Sequence, residues 1–124
     1  MWGIAMTHAD LLAAIQIAYS KGDCRLLRAN VGQGWTGKII SQTHGRIVLS
    51  PYRPFHGMPE GVLDLIGFQG STFVAIDVKV GKDRIRPAQQ VFIDTVNTAG
   101  GRAGAARTLQ DAANILLPYG QREG

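Results

Sequence analysis

The sequence predicts a single α/β domain spanning residues 1–124, with a mixed central sheet flanked by helices and a small inserted β-hairpin. Three observations carry this expectation. Residues 62–68 and 72–80 are apolar, strand-like stretches joined by Gln69-Gly70, the pattern of an antiparallel hairpin. A helical segment over 87–99 and a short strand over 103–107 follow at once, the order of a right-handed βαβ crossover. The chain has 124 residues, the length of one domain, and no repeat or linker interrupts it.

Each element has its own local signal. Thr7 and Asp10 have the spacing of a capping box, with Asp in place of Glu. Leu11, Leu12, Ile15, Ala18 and Tyr19 then recur at helical spacing, and Gly22 ends the helix. Residues 24–31 read as a strand in which Leu26 and Leu27 are both expected to be buried. Residues 32–37 form a glycine-rich loop without the Lys-Ser/Thr ending of a phosphate-binding loop, so no nucleotide cofactor is expected. Residues 38–40 and 46–49 pair as the inserted hairpin around Thr43, His44 and Gly45, and residues 51–59, with three prolines, are expected to be irregular. Pro87 suits the first position of its helix and Gly100-Gly101 stops it. Thr108 and Asp111 repeat the capping pattern for a last helix that ends before Pro118.

Composition narrows the class. At 45% hydrophobic residues the chain buries a core and is not a disordered segment. A single cysteine, Cys24, excludes an internal disulfide and fits a reducing compartment. No secretory leader and no apolar run of membrane-spanning length is visible, so a soluble, cytoplasmic protein with no membrane partner is expected. Thirteen Lys and Arg against nine Asp and Glu give a net charge of +4, an excess that permits a nucleic-acid partner without requiring one.

The chemistry concentrates in residues 64–79. Side chains alternate along a strand, so Phe73, Ala75, Asp77 and Lys79 share one face and Val74, Ile76, Val78 and Val80 the other, which must be core. With Gln69-Gly70 as the loop, Phe68 pairs with Ser71 and Asp64 faces Ala75. Asp64 and Asp77 are then diagonal neighbours on one face, roughly 7–8 Å apart. Two carboxylates so placed can converge on one hard cation, at about 2.0–2.6 Å per oxygen. Such a site suits metal-assisted phosphodiester hydrolysis, with Lys79 orienting water or stabilising developing charge. The bland alternative is a surface hairpin with a solvated Asp/Lys pair. The wholly apolar opposite face and the basic loop that follows (Lys82, Arg84, Arg86) favour the functional reading.

These residues resemble a known family. Gly61-Val-Leu-Asp64 followed by Asp77-Val-Lys79 is similar to the bipartite motif of the PD-(D/E)xK nuclease superfamily. Ile85-Arg-Pro-Ala-Gln89-Gln-Val-Phe92 resembles the Leu-Ser-Pro-x-Gln-x-x-Phe signature of its VRR-NUC branch, and Arg28-Ala-Asn30-Val-Gly32, Thr98-Ala-Gly-Gly101 and Arg107-Thr-Leu-Gln-Asp-Ala112 also look like that branch. The resemblance runs over residues 7–117, and the single-domain form is similar to small phage-encoded members. It implies a restriction-endonuclease-like αβββαβ core and a Mg²⁺- or Mn²⁺-dependent DNA endonuclease. It further implies a homodimer acting on branched DNA such as four-way junctions, in the host cytoplasm if phage-encoded. Asp64, Asp77 and the Val78 carbonyl would be metal ligands, Lys79 the catalytic lysine and Gln89 the active-site glutamine. Apart from the resemblance, Arg28, Lys82, Arg84 and Arg86 read either as a solvated face or as contacts to DNA phosphates, and their adjacency to the proposed site favours the second.

The chain departs from the family pattern in three places. Asp77 stands where Glu is frequent, Arg86 replaces a common Ser, and the usual first-helix Glu falls on Leu12, leaving Gln16 as the motif's Gln and Asp10 as the nearest acid. That last departure motivates an alternative: a nucleic-acid-binding protein with the nuclease fold and weak or no catalytic activity. His8, His44 and His56 lack mutual metal-ligand spacing and read as surface or loop residues. Cys24 reads as a small core residue. Trp35 reads as stacking on a base or wedging a junction, or as capping the core or burying at a dimer interface, the latter pair being preferred.

Overall fold

The computed structural model describes residues 6–29 and 33–116. The elements are α1 (His8–Tyr19), β1 (Cys24–Arg28), β2 (Gln33–Thr43), β3 (Arg46–His56), β4 (Leu65–Gln69), β5 (Thr72–Val78), α2 (Pro87–Thr98), β6 (Arg102–Ala106) and α3 (Leu109–Ile115). They make a mixed α/β architecture. A four-stranded sheet runs in the order β1-β4-β5-β6, and β2 and β3 form a separate two-stranded ribbon. β1, β4 and β5 are antiparallel neighbours, while β6 lies parallel to β5 on the far side of the α2 crossover. No helix among the described residues is long and apolar enough to cross a membrane.

Local signals set the helix ends. The Thr7 and Thr108 hydroxyls accept from the backbone N–H of Asp10 and Asp111, satisfying donors that a helix start leaves orphaned. Pro87 opens α2, where its missing N–H costs nothing.

The sheet is covered on both faces, and unequally. Leu11, Leu12 and Ile15 of α1 and Ala112 of α3 pack on Leu26, Leu65, Val74, Ile76, Val78 and Ala106, the main core, which also holds Cys24. On the other face Ile93 of α2 packs with Leu63 and Ala75. Among the described residues α2 packs mainly against β5 and β6, so much of the β1–β4 half of that face stays open, with Ile66 of β4 partly buried at its margin. This corrects one expectation: Leu26 is buried, but Leu27 alternates onto the open half and is 57% exposed.

Three further expectations change. The tight turn is Gly70-Ser71, with Gln69 paired to Thr72, rather than Gln69-Gly70. Gly70 takes φ +62° and no other residue type in the described chain has positive φ, the requirement of a type II′ turn with glycine first. Pairing therefore slides by two residues, which preserves the face of every side chain. Asp64 moves from opposite Ala75 to the position beyond the Leu65–Ile76 pair, opposite Asp77. β4 is also shorter at its start than the predicted 62–68. Finally, residues 33–37 and 51–56 are strand rather than loop: β2 pairs with β3 along most of its length, with register shifts between Gly37 and Ser41. Prolines are tolerated there because, among the described residues, each ribbon strand has one edge without a partner strand. Asn30, Val31 and Gly32, and the side chains of Trp35 and His56, lie outside the described residues.

Gly67 is the closest approach in the sheet. It sits between Leu26 and Val74, and a Cβ there would collide with the Arg25 carbonyl. Gly67→Ala is expected to destabilise the fold by more than about 3 kcal/mol, or to prevent folding, as read by chemical denaturation. Gly45→Ala, at the ribbon tip with open space around it, is expected to cost only about 1 kcal/mol from its positive φ.

Candidate functional site

Asp77 is the penultimate residue of β5 and projects to the α2 side of the sheet. Lys79 lies just beyond the strand, where its backbone N–H donates to the Ala106 carbonyl and holds it in line with the sheet. Gln89 arrives from the first turn of α2. Its Oε1 accepts from the Arg86 backbone N–H at 2.9 Å, a capping contact that fixes its rotamer. The same Oε1 accepts from Lys79 Nζ at 3.0 Å, and Gln89 Nε2 donates to Asp77 Oδ1 at 3.2 Å. Asp77, Lys79 and Gln89 are all buried, at 1%, 7% and 4% exposure. Polar groups at that depth persist only when they satisfy one another.

Satisfaction is incomplete at one atom. Asp77 Oδ2 lies 2.9 Å from Lys79 Nζ, close enough for an ion pair, yet it has no well-directed hydrogen-bond donor. Burial pushes the Asp77 carboxyl above its ordinary pKa of 3.8, Lys79 opposes the shift, and the Asp64 carboxylate adds to it.

Asp64 stands in the turn leading into β4. Its Oδ2 accepts from the Val78 backbone N–H at 2.8 Å, which ties it beside Asp77, and its own carbonyl accepts from the Ala29 N–H. Gly61, three residues earlier, has φ +94° and runs against the Ala88 carbonyl, where a side chain would not fit. That contact brings the segment carrying Asp64 up to the start of α2.

The four side chains line one open pocket of about 300 Å³, together with His8, Val78, Asp83, Arg84 and Arg86. A second cavity of about 300 Å³ shares Asp64, Arg86 and Gln89. Arg84 and Arg86 thus reach the site from the basic loop. Lys82 is exposed and does not line the pocket, and Arg28 is exposed at the end of β1 beside Leu65. Arg107 anchors the loop by donating to the carbonyls of Gly81 and Asp83.

The first helix contributes differently from expectation. Leu12 is in the main core, Gln16 donates to the Leu26 carbonyl, and Asp10 is exposed at the helix start away from the pocket. The residue α1 delivers is His8, read from sequence as a surface histidine. Its Nε2 lies 3.2 Å from Asp64 Oδ2, a hydrogen bond when that nitrogen carries its proton. Sequence held no signal for this, because the two residues are 56 positions apart and His8 matches no motif. Asp83, on the same lining, likewise carries no sequence signal.

Nowhere among the described residues do three or more His, Cys, Asp or Glu side chains converge as a metal cluster. The neighbouring donors at the pocket are instead the carboxylates of Asp64 and Asp77, with Asp83 and the His8 imidazole also on its lining. That set suits a hard divalent ion which keeps several waters, and Asp77 Oδ2, which faces Lys79 Nζ without a well-directed donor, has acceptor capacity left for one.

Because the folded state raises the Asp77 pKa, its contribution to stability is full below 3.8 and is lost as pH rises through the folded-state value. Asp77→Asn removes this titration. In metal-free buffer the melting temperature of the variant, relative to wild type, is expected to rise between acid and neutral pH; a pH-independent difference would contradict the shift.

No family model matches the chain, and no curated protein matches it.

Proposed function

We propose that this chain is a divalent-metal-dependent DNA endonuclease of the VRR-NUC type, with Mg²⁺ or Mn²⁺ as cofactor and branched DNA as substrate. The observation that carries the reading is Gln89 hydrogen-bonded to both Asp77 and Lys79, in a pocket that also contains Asp64. The element order supports it too. With the β2–β3 ribbon set aside as an insertion, the remaining elements up to β6 run α-β-β-β-α-β, the core that the nuclease reading expects.

Asp64, Asp77 and the Val78 carbonyl would hold the ion. When bound, it polarises the scissile phosphate and lowers the pKa of a water. Lys79 stands beside Asp77 with its ammonium held by Gln89, preorganised to stabilise charge that develops on the phosphate. Gln89 holds Lys79 and Asp77 in register, and the α2 start that presents Gln89 also presents Arg86 to the substrate backbone. Water adds to phosphorus and one P–O bond breaks, the leaving oxygen taking a proton. Action on a branched substrate in the cytoplasm as a homodimer completes the reading, since two-fold symmetry supplies two sites for paired cuts.

A second reading keeps the fold and DNA binding with weak or no catalysis. It is favoured by one observation: α1 brings an imidazole to the pocket rather than a carboxylate.

Calorimetric titration with Mn²⁺ separates the two. Wild type is expected to bind Mn²⁺ and to cut branched DNA, and Asp77→Asn to lose both while remaining folded. Lys79→Ala is expected to keep Mn²⁺ binding and lose about 10²–10³-fold in cleavage rate. If purified protein with Mn²⁺ cuts neither duplex, flapped nor branched DNA, the enzyme reading fails.

A further inference from the structure

The β2–β3 ribbon is not explained by the site. Each strand has 11 residues, so the ribbon extends for roughly 35 Å. Among the described residues its strands pack on each other, and no other element shares more than a marginal contact with them. An isolated two-stranded ribbon is marginally stable in water, so a fold that retains one has a use for its surface. Ile39, Ile40 and Ile47 are more than half exposed along it.

Its charge is one-sided. Residues 33–56 contain Lys38, Arg46 and Arg53 and no Asp or Glu. All three cations are exposed. The rest of the chain carries ten Lys and Arg against nine Asp and Glu, so the ribbon accounts for three of the four surplus positive charges. Concentrating the surplus on a protruding arm makes an anionic partner the complementary one.

The arm is rooted at the pocket. Ala29 donates its N–H to the Asp64 carbonyl, and β2 begins four residues later, a reach of at most about 14 Å. The other strand, β3, ends eight residues before Asp64. The ribbon therefore leaves the sheet at the end where Asp64 and Asp77 stand.

We infer that the β2–β3 ribbon is a nucleic-acid docking arm, laying Lys38, Arg46 and Arg53 along the phosphates of a duplex next to the site. A two-stranded ribbon fits the major groove, about 12 Å wide, where isoleucine side chains meet thymine methyls and the cations meet phosphate. A second copy of the chain is the poorer occupant: a two-fold contact sets the same patch on itself, and here that would bring six cations together without a carboxylate. The inference deepens the nuclease reading and rests on it for the nature of the substrate.

The test is binding without chemistry. Fluorescence anisotropy with a labelled four-way junction and a plain duplex, in EDTA and over about 50–200 mM salt, gives affinity and its salt slope. The triple variant Lys38→Ala/Arg46→Ala/Arg53→Ala is expected to bind at least about tenfold more weakly, with a slope flatter by about 2.7, since each lost phosphate contact removes about 0.9. Lys21→Ala, which removes a cation beyond the opposite end of β1, is expected to leave the slope unchanged. Circular dichroism checks that the variants are folded. If wild type binds and the triple variant matches it in affinity and slope, the docking arm is refuted and the nuclease reading stands. If the triple variant keeps its affinity but changes in mass from dimer to monomer, the ribbon joins copies and the inference is overturned. If wild type binds no DNA, the nuclease reading falls and the docking arm falls with it.

Discussion

Asp77, Lys79 and Gln89 are buried together, and three charged or polar side chains at such depth must be held by one another and by backbone positioned to receive them. Lys79 must leave β5 in line with the sheet, which its N–H to Ala106 ensures. Gln89 must enter from a helix start with its rotamer fixed, which the Arg86 N–H ensures. The β5–α2–β6 crossover is thus the frame for this network as much as a piece of core. Breaking one partner of a buried ion pair leaves the other uncompensated and costs about 3–5 kcal/mol in general, so the network constrains stability and chemistry together.

The two faces of the sheet divide these tasks. The face under α1 and α3 is apolar from β1 to β6 and anchors the strands. Among the described residues the face under α2 has a small core, Leu63, Ala75 and Ile93 with Ile66, Phe92 and Ala103 partly buried against it, before it opens to the pocket at one end and to solvent at Leu27 and Phe68. Exposed Leu27, Phe68 and Phe73 follow from that partial cover. A wider apolar patch above Asp77 would have left no access to it.

The departure at α1 is informative for the same reason. Helical spacing puts Leu12 on the stripe that packs the main core, so no residue there reaches the pocket. The first turn of α1 carries His8, which reaches Asp64. At this end of α1 the chain meets the Asp64 carboxylate with an imidazole.

Much of this was legible along the chain. Capping residues, helical periodicity and strand alternation are short-range, so α1, α2, α3, β5 and the apolar face of Val74, Ile76 and Val78 could be read from neighbours alone. The face shared by Asp64, Asp77 and Lys79 survived a misplaced turn, because sliding a hairpin by two residues leaves side-chain parity intact. Other features depend on what lies across from a residue. The turn settled at Gly70-Ser71 because glycine, not glutamine, accepts positive φ at its first position. Leu27 is exposed because α2 stops short of β1, Gly- and Pro-rich segments became strands because they had each other to pair with, and His8 met Asp64 across 56 residues. Local sterics decide the first group; long-range packing, which no window of sequence contains, decides the second.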